Sequence, residues 1–326
     1  MTRVAVLGAG SWGTTLAILL VARVGHVTLW GRDAGQVERM RAARENRRYL
    51  AGVELPVTLE VVSELGTALP GRDVVVFAVP SVALATVARQ AAPWISQHAM
   101  VVSAVKGLEA DGFRRMTQVL EGELASSAAG RVATLSGPSM AREVARGMPT
   151  VMVSASTTPG VAREVRDLFE RQQLHVEPED DLVGVEVGVA FKNVVAIAAG
   201  ISDGLGLGGN ARGALLVRGL AEMSRLAASL GGDVETLRGP AGVGDLVTTC
   251  TSRLSRNRHV GEELGRGRPL KRILDDMIMV AEGVPTTRAV WQLSGRLGLD
   301  MPITEQVHAV LYEDRDPRDI VVELMH

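Results

Sequence analysis

One lysine stands where the chain offers no ordinary place for it. From Leu182 to Ile201 the sequence reads LVGVEVGVAFKNVVAIAAGI, and only Glu186, Lys192 and Asn193 carry polar heads. With Asp180-Asp181 ahead as an N-cap, the run predicts a helix apolar on nearly all sides, and such a helix is buried. An ammonium at its centre must lose its charge, find a partner or face a cleft. A lysine that snorkels to the surface or sits in a structural ion pair is the plain alternative. Asn193 and the glycine-rich exit SDGLGLGGN favour the cleft. A membrane span is the weaker reading, because Lys and Glu would each cost roughly 2.5–3.5 kcal/mol near mid-bilayer.

Three further groups have chemical potential. Gly8-Ala9-Gly10-Ser11-Trp12-Gly13 follows the apolar run Val4–Leu7 and precedes a second apolar stretch, Thr14 to Val24. In that frame Gly8 makes the tight turn, Gly10 admits a pyrophosphate and Gly13 lets helix and strand pack closely. The pyrophosphate would lie on the free N–H groups at the helix start. Next, residues 239–245 read GPAGVGD, a glycine-rich loop whose final Asp245 is placed to pair with a cation such as Lys192. Finally, Ser255-Arg256-Asn257-Arg258 offers a hydroxyl, a guanidinium and an amide within one turn, a set suited to a phosphate monoester. A capped helix with solvated arginines is the ordinary reading of that last cluster.

Together these groups fit one reaction. Hydride transfer from a nicotinamide to a ketone leaves an alkoxide that needs a proton. A lysine whose pKa is lowered by burial and cationic neighbours delivers it near neutral pH. Asp245 would orient the ammonium, and Arg256 would hold the remote phosphate so that the carbonyl faces the nicotinamide.

The elements that must position these groups are legible. Buried strands are expected at Val4–Leu7, Val27–Trp30, Asp73–Val79, Met100–Val105, Arg131–Leu135, Thr150–Ser154 and Leu174–Val176, alternating with helices. That alternation predicts a Rossmann-like α/β domain with a mostly parallel sheet, over residues 1–180. Ligands bind such sheets at their strand ends, where Lys106, Gly137 and Ser139 fall. After Pro178 no strong strand pattern recurs, so residues 181–326 are expected to form an all-α substrate and catalytic domain. The second strand runs into Gly31-Arg32-Asp33, which puts a guanidinium where the 2′-phosphate of NADP(H) would lie. NADP(H) is therefore favoured, with NAD(H) still accepted. Asp33 is equally suited to cap the next helix. Tyr49 is a candidate for the adenine side, or a plain surface tyrosine.

Composition excludes several classes. Lys and Arg (35) nearly balance Asp and Glu (37), which removes the electrostatic case for nucleic acid or an anionic membrane. One cysteine, Cys250, permits no internal disulfide and fits a reducing cytoplasm. The basic-then-apolar start, broken by Gly8, Gly10 and Gly13, reads as strand, turn and helix, not as a signal peptide. No metal is expected.

The stretches GAGSWGTTLA, WGR, AVKGLE, LSGPS, FKNVVAIAAGISDGLGLGGNAR, RGLAEMSRL, AGVGDLVTTCTS, SRNR, VAEGV and MPITE are spread along nearly the whole chain. In that order they resemble the bacterial NAD(P)-dependent sn-glycerol-3-phosphate dehydrogenases. The resemblance implies reversible interconversion of dihydroxyacetone phosphate and sn-glycerol 3-phosphate, feeding glycerophospholipid synthesis, by a homodimer. It implies Lys192 as proton donor and acceptor, supported by Asp245 and Thr249. Lys106, Gly137, Ser139, Ser255, Arg256 and Asn257 match substrate positions. Ser11, Trp12, Arg32, Tyr49, Lys106, Ala141, Arg256, Val280 and Glu282 match positions near the cofactor. Four residues depart from the usual pattern: Val189 and Phe191 are bulkier, Gly209 stands where aspartate is common, and Pro240 is unusual. They bear on rate and affinity. Two rivals remain: a β-hydroxyacid or ketopantoate-type reductase acting on a carboxylate, and a non-catalytic NADP(H) sensor.

Overall fold

The computed structural model describes residues 2–125 and 130–319. They divide into two compact units: residues 2–105 with 116–125 and 130–182, and residues 106–115 with 183–319. The junction at Leu182/Val183 lies two residues beyond the expected 180/181. The short segment Lys106–Arg115 belongs with the second unit, which corrects the placement of Lys106 at a strand end of the first.

Unit 1 is an eight-stranded sheet. Its strands are β1 (Val4–Leu7), β2 (Val27–Trp30), β3 (Leu59–Val62), β4 (Val74–Phe77), β5 (Met100–Ser103), β6 (Val132–Ser136), β7 (Thr150–Ala155) and β8 (Leu174–Glu179). Spatial order is β3-β2-β1-β4-β5-β6-β7-β8, and every pairing is parallel except β6 with β7. Its helices are α1 (Ser11–Val24), α2 (Ala34–Ala43), α3 (Leu65–Ala68), α4 (Leu84–Ala91), α5 (Met116–Glu123), α6 (Ala141–Ala145) and α7 (Val161–Phe169). Strands β1, β2 and β4 are buried along their whole length, as continuous apolar runs in a parallel sheet should be. β3 was not legible in advance, because its four residues include the exposed Glu60 and lack a continuous apolar run.

The β1–α1 turn shows why three glycines are needed. Gly8 has φ +122°, and a β-carbon there would meet the Ala78 carbonyl oxygen at 2.5 Å. A β-carbon on Gly13 would lie 1.9 Å from the Gly8 carbonyl oxygen, so only glycine lets α1 start so close to β1. A β-carbon on Gly10 would instead point into open space. The turn is braced from below by amides that the sequence reading missed. Asn46 Nδ2 donates to Ala9 O (3.0 Å) and Thr14 Oγ1 (2.8 Å), and Gln36 Nε2 donates to Ala9 O (3.0 Å).

Unit 2 is helical: α8 (Leu182–Gly204), α9 (Gly208–Ser229), α10 (Asp245–Thr251), α11 (Arg256–Gly265), α12 (Leu270–Asp276), α13 (Gly283–Leu297) and α14 (Pro302–Tyr312). α8 is long and apolar enough to cross a membrane by composition, yet 94% of its apolar window is buried inside the structure, as in a core helix. Glycines let α11 approach it: β-carbons on Gly200 and Gly261 would lie 2.1 and 2.0 Å from the carbonyl oxygens of Arg258 and Ile197. Val189 and Phe191 are buried, so their extra bulk is absorbed by packing. The expected glycine loop at 239–244 is instead a π-helical turn, Pro240–Gly244, closed by the Gly244 N–H on Gly239 O and running straight into α10.

Candidate active site

The groups expected to transfer the proton lie in unit 2. Lys192 is only 5% exposed, so the snorkelling alternative is excluded. Its Nζ donates to Asp245 Oδ1 at 2.5 Å and to Thr249 Oγ1 at 2.8 Å. Asp245 and Thr249 are one turn apart on α10 and share a face. On the other carboxylate oxygen, Oδ2, Lys106 Nζ donates at 2.9 Å. One buried carboxylate thus bridges two ammonium groups. Burial is the main force on Lys192, bringing its pKa down from 10.5 to about 7; Asp245 opposes this and Lys106 adds to it. A group poised there gives and takes a proton near neutral pH.

Of the SRNR cluster, three members have internal duties. Ser255 caps α11 by accepting from the Arg258 N–H (3.2 Å). Asn257 donates to Asn193 Oδ1 (2.8 Å) and accepts from the Gly283 N–H (2.9 Å), tying α8, α11 and α13 together. Arg258 pairs with Asp203 and Glu262. Arg256 is the exposed member, its Nη1 donating to Val280 O at 2.5 Å with the Glu282 charge nearby. Arg256, Val280 and Glu282 therefore do converge, whereas Ser255 and Asn257 serve the scaffold first.

The glycine turn and the other expected cofactor residues Arg32, Tyr49 and Ala141 lie in unit 1. No side chain caps the start of α1 at Gly10, and the buried Trp12 Nε1 has no hydrogen-bond partner among the described residues. With open space at Gly10, that helix start fits a pyrophosphate. Thr15 Oγ1 donates to Ala141 O (3.1 Å), which fixes Ala141 against α1. Gly137 takes φ +114°, and Ser139 Oγ donates back to Gly137 O (2.9 Å). Beyond β2, Arg32 is exposed. Asp33 Oδ1 accepts from the Gln36 N–H at 3.0 Å and caps α2, so its carboxylate is engaged in the helix start. Tyr49 is half-buried with the Arg48 guanidinium 5.3 Å from its ring centre.

A Rossmann-like unit with this glycine turn and a helical unit with a buried lysine–aspartate pair define a nicotinamide-dependent oxidoreductase. The chain belongs to the NAD-dependent glycerol-3-phosphate dehydrogenase family, matching its N-terminal domain over residues 3–162 and its C-terminal domain over residues 181–322. It is 50% identical over 323 residues to a glycerol-3-phosphate dehydrogenase (NAD(P)+) of Geobacter metallireducens, a match covering 99% of this chain and 96% of that one. Among solved structures it is similar to glycerol-3-phosphate dehydrogenase from Coxiella burnetii, with TM-score 0.95 and 40% identity over 100% of this chain and 99% of that one. A ketopantoate reductase from Ralstonia eutropha, 17% identical with TM-score 0.61, shares the fold alone.

Proposed function

We propose that this chain reduces dihydroxyacetone phosphate to sn-glycerol 3-phosphate, reversibly, supplying glycerophospholipid synthesis, with Lys192 as general acid and base. The observation that carries the lysine assignment is its burial with Asp245 and Thr249 while a second ammonium, Lys106, shares the same carboxylate. Reduced nicotinamide, when bound, supplies the hydride. Lys192 Nζ gives its proton to the developing alkoxide oxygen and takes it back in the oxidation direction. Asp245 and Thr249 fix the direction of that Nζ, so no reorientation is needed as charge develops. Arg256 binds the substrate phosphate, and Lys106 brings a fixed positive charge to the same carboxylate.

Gly8, Gly10, Ser11, Trp12 and Gly13 hold the pyrophosphate at the start of α1. NADP(H) is preferred over NAD(H), since Arg32 is exposed beyond β2 while Asp33 is engaged as a cap. A homodimer is the working form that the resemblance supports, and the single cysteine fits a reducing cytoplasm.

The test is NADPH oxidation with dihydroxyacetone phosphate, on wild type and on Lys192→Ala. Turnover that collapses in the variant while NADPH still binds supports substrate, cofactor and proton transfer together. A variant that keeps its rate makes the lysine structural. Wild type that turns over a 2-keto carboxylate but not the phosphate moves the substrate class.

A further inference from the structure

Lys106 stands at the root of a short hairpin, residues 106–115, closed by an antiparallel bridge between Leu108 and Arg115. Leu108 is buried in the apolar core cluster of unit 2, which also holds Val187 and Phe191 of α8. Arg114 forks onto Glu109 at 2.7 and 2.6 Å, and Arg296 lies 4.5 Å over the Phe113 ring. At the hairpin's other foot, Arg115 Nη1 donates to Glu186 Oε2 at 2.6 Å. Glu186 is 3% exposed and lies on α8, six residues before Lys192.

That ion pair is not needed to make α8, whose other residues here are apolar. Buried ion pairs are commonly no more stabilising than well-packed apolar side chains, and their best-attested use is to fix one arrangement among several. The arrangement at stake is the hairpin's. Its closing bridge sets Arg115 opposite Leu108, two residues from Lys106, so where Arg115 is held decides where Lys106 starts.

We propose that Arg115 and Glu186 are positioning residues whose ion pair fastens the hairpin to α8 and so holds Lys106 Nζ on Asp245 beside Lys192. This rests on the reading of Lys192 as the proton-transfer group. The groups that face Lys192 are Asp245, Thr249 and the Cys250 thiol, all from α10, and Lys106 from the hairpin. Of these only Lys106 comes from outside a helix and depends on a distant pair for its place. Releasing it removes a like charge from Asp245 and leaves that carboxylate to Lys192 and the Thr249 hydroxyl, so Lys192 holds its proton more tightly.

In the oxidation direction Lys192 must begin neutral, so kcat/KM for glycerol 3-phosphate rises with pH along a limb set by that lysine. The experiment compares this limb in wild type, Lys106→Met, Arg115→Met, Glu186→Gln and Arg115→Lys, with thermal melts to establish folding. Lys106→Met, Arg115→Met and Glu186→Gln are each expected to move the limb up by about one pH unit. Arg115→Lys is expected to bring it most of the way back. Direction separates positioning from simple electrostatics. Acting through its own charge, the loss of Arg115 would raise the limb and the loss of Glu186 would lower it, whereas a loosened hairpin raises both. If Arg115→Met does not fold, the near-isosteric Glu186→Gln still decides. A limb that moves in Lys106→Met but stays at the wild-type pH, or falls, in Glu186→Gln overturns the positioning role and spares the Lys192 reading. A limb that Lys106→Met leaves in place overturns the proposal, because Lys106 then does not tune the group that the limb reports.

Discussion

A β-carbon on Gly188 would stand 2.7 Å from the carbonyl oxygen of Ala241, so the π-helical turn packs against α8 only because residue 188 is glycine. Gly188 is one helical turn before Lys192 and on the same face. The turn laid there runs directly into Asp245, which is how a residue 53 positions away in sequence reaches the Lys192 ammonium.

Gly188→Ala is therefore expected to act against its own helix propensity. In an open helix the change stabilises by about 0.5–1 kcal/mol. Here the clash is with backbone, and overpacking of that kind costs about 1–3 kcal/mol. The variant should melt lower than wild type and lose turnover as Asp245 is displaced. A melting temperature equal to or above wild type would show that the turn does not depend on the glycine.

The pH dependence of stability follows from Lys192. Its folded pKa is lowered, mainly by burial, from 10.5 to about 7. Between those values the unfolded chain binds the proton and the folded chain does not, so the lysine's contribution to stability improves as pH rises. Below about 7 the folded state carries the full penalty of a buried charge, and above 10.5 the penalty vanishes. Relative to wild type, Lys192→Met should lose stability progressively as pH rises from 7 toward 10.5. Urea unfolding of both proteins at pH 6, 8 and 10 measures it, and a relative stability that grows with pH would contradict the assignment.

Arg32→Ala should change cofactor choice more than catalysis. A charge-assisted bond to a phosphate is worth about 1.5–3 kcal/mol, roughly tenfold to a hundredfold in kcat/KM. NADPH should lose that much while NADH stays nearly unchanged. Equal losses with both cofactors would place Arg32 in the scaffold.

Cys250 should be inert in the folded protein. It is fully buried, and burial pushes its thiol up to about 12, so almost no thiolate exists at neutral pH. Iodoacetamide should label it only after denaturation, which makes the residue a convenient reporter of unfolding. Rapid labelling of native protein would show that the α8–α10 interior opens.

Local pattern was enough for much of this. The glycine turn, the parallel strands, the switch to helices after β8 and the buried lysine all declare themselves through short-range spacing, because each depends on backbone geometry or burial within a few residues. The long motifs made the family legible in the same way. What the sequence by itself left open was pairing at a distance. Ser255, Arg256, Asn257 and Arg258 look alike as a polar cluster, but only the packing of α8, α11 and α13 commits Asn257 to Asn193 and Gly283 and leaves Arg256 exposed. Lys106 reads as the end of a strand, and only the tertiary structure brings it, on its hairpin, to Asp245 139 residues away. Periodicity records which side of an element is buried. Which charges meet there is decided by close backbone approaches that glycines at 188, 200 and 261 allow, and by the need of each buried charge for a partner.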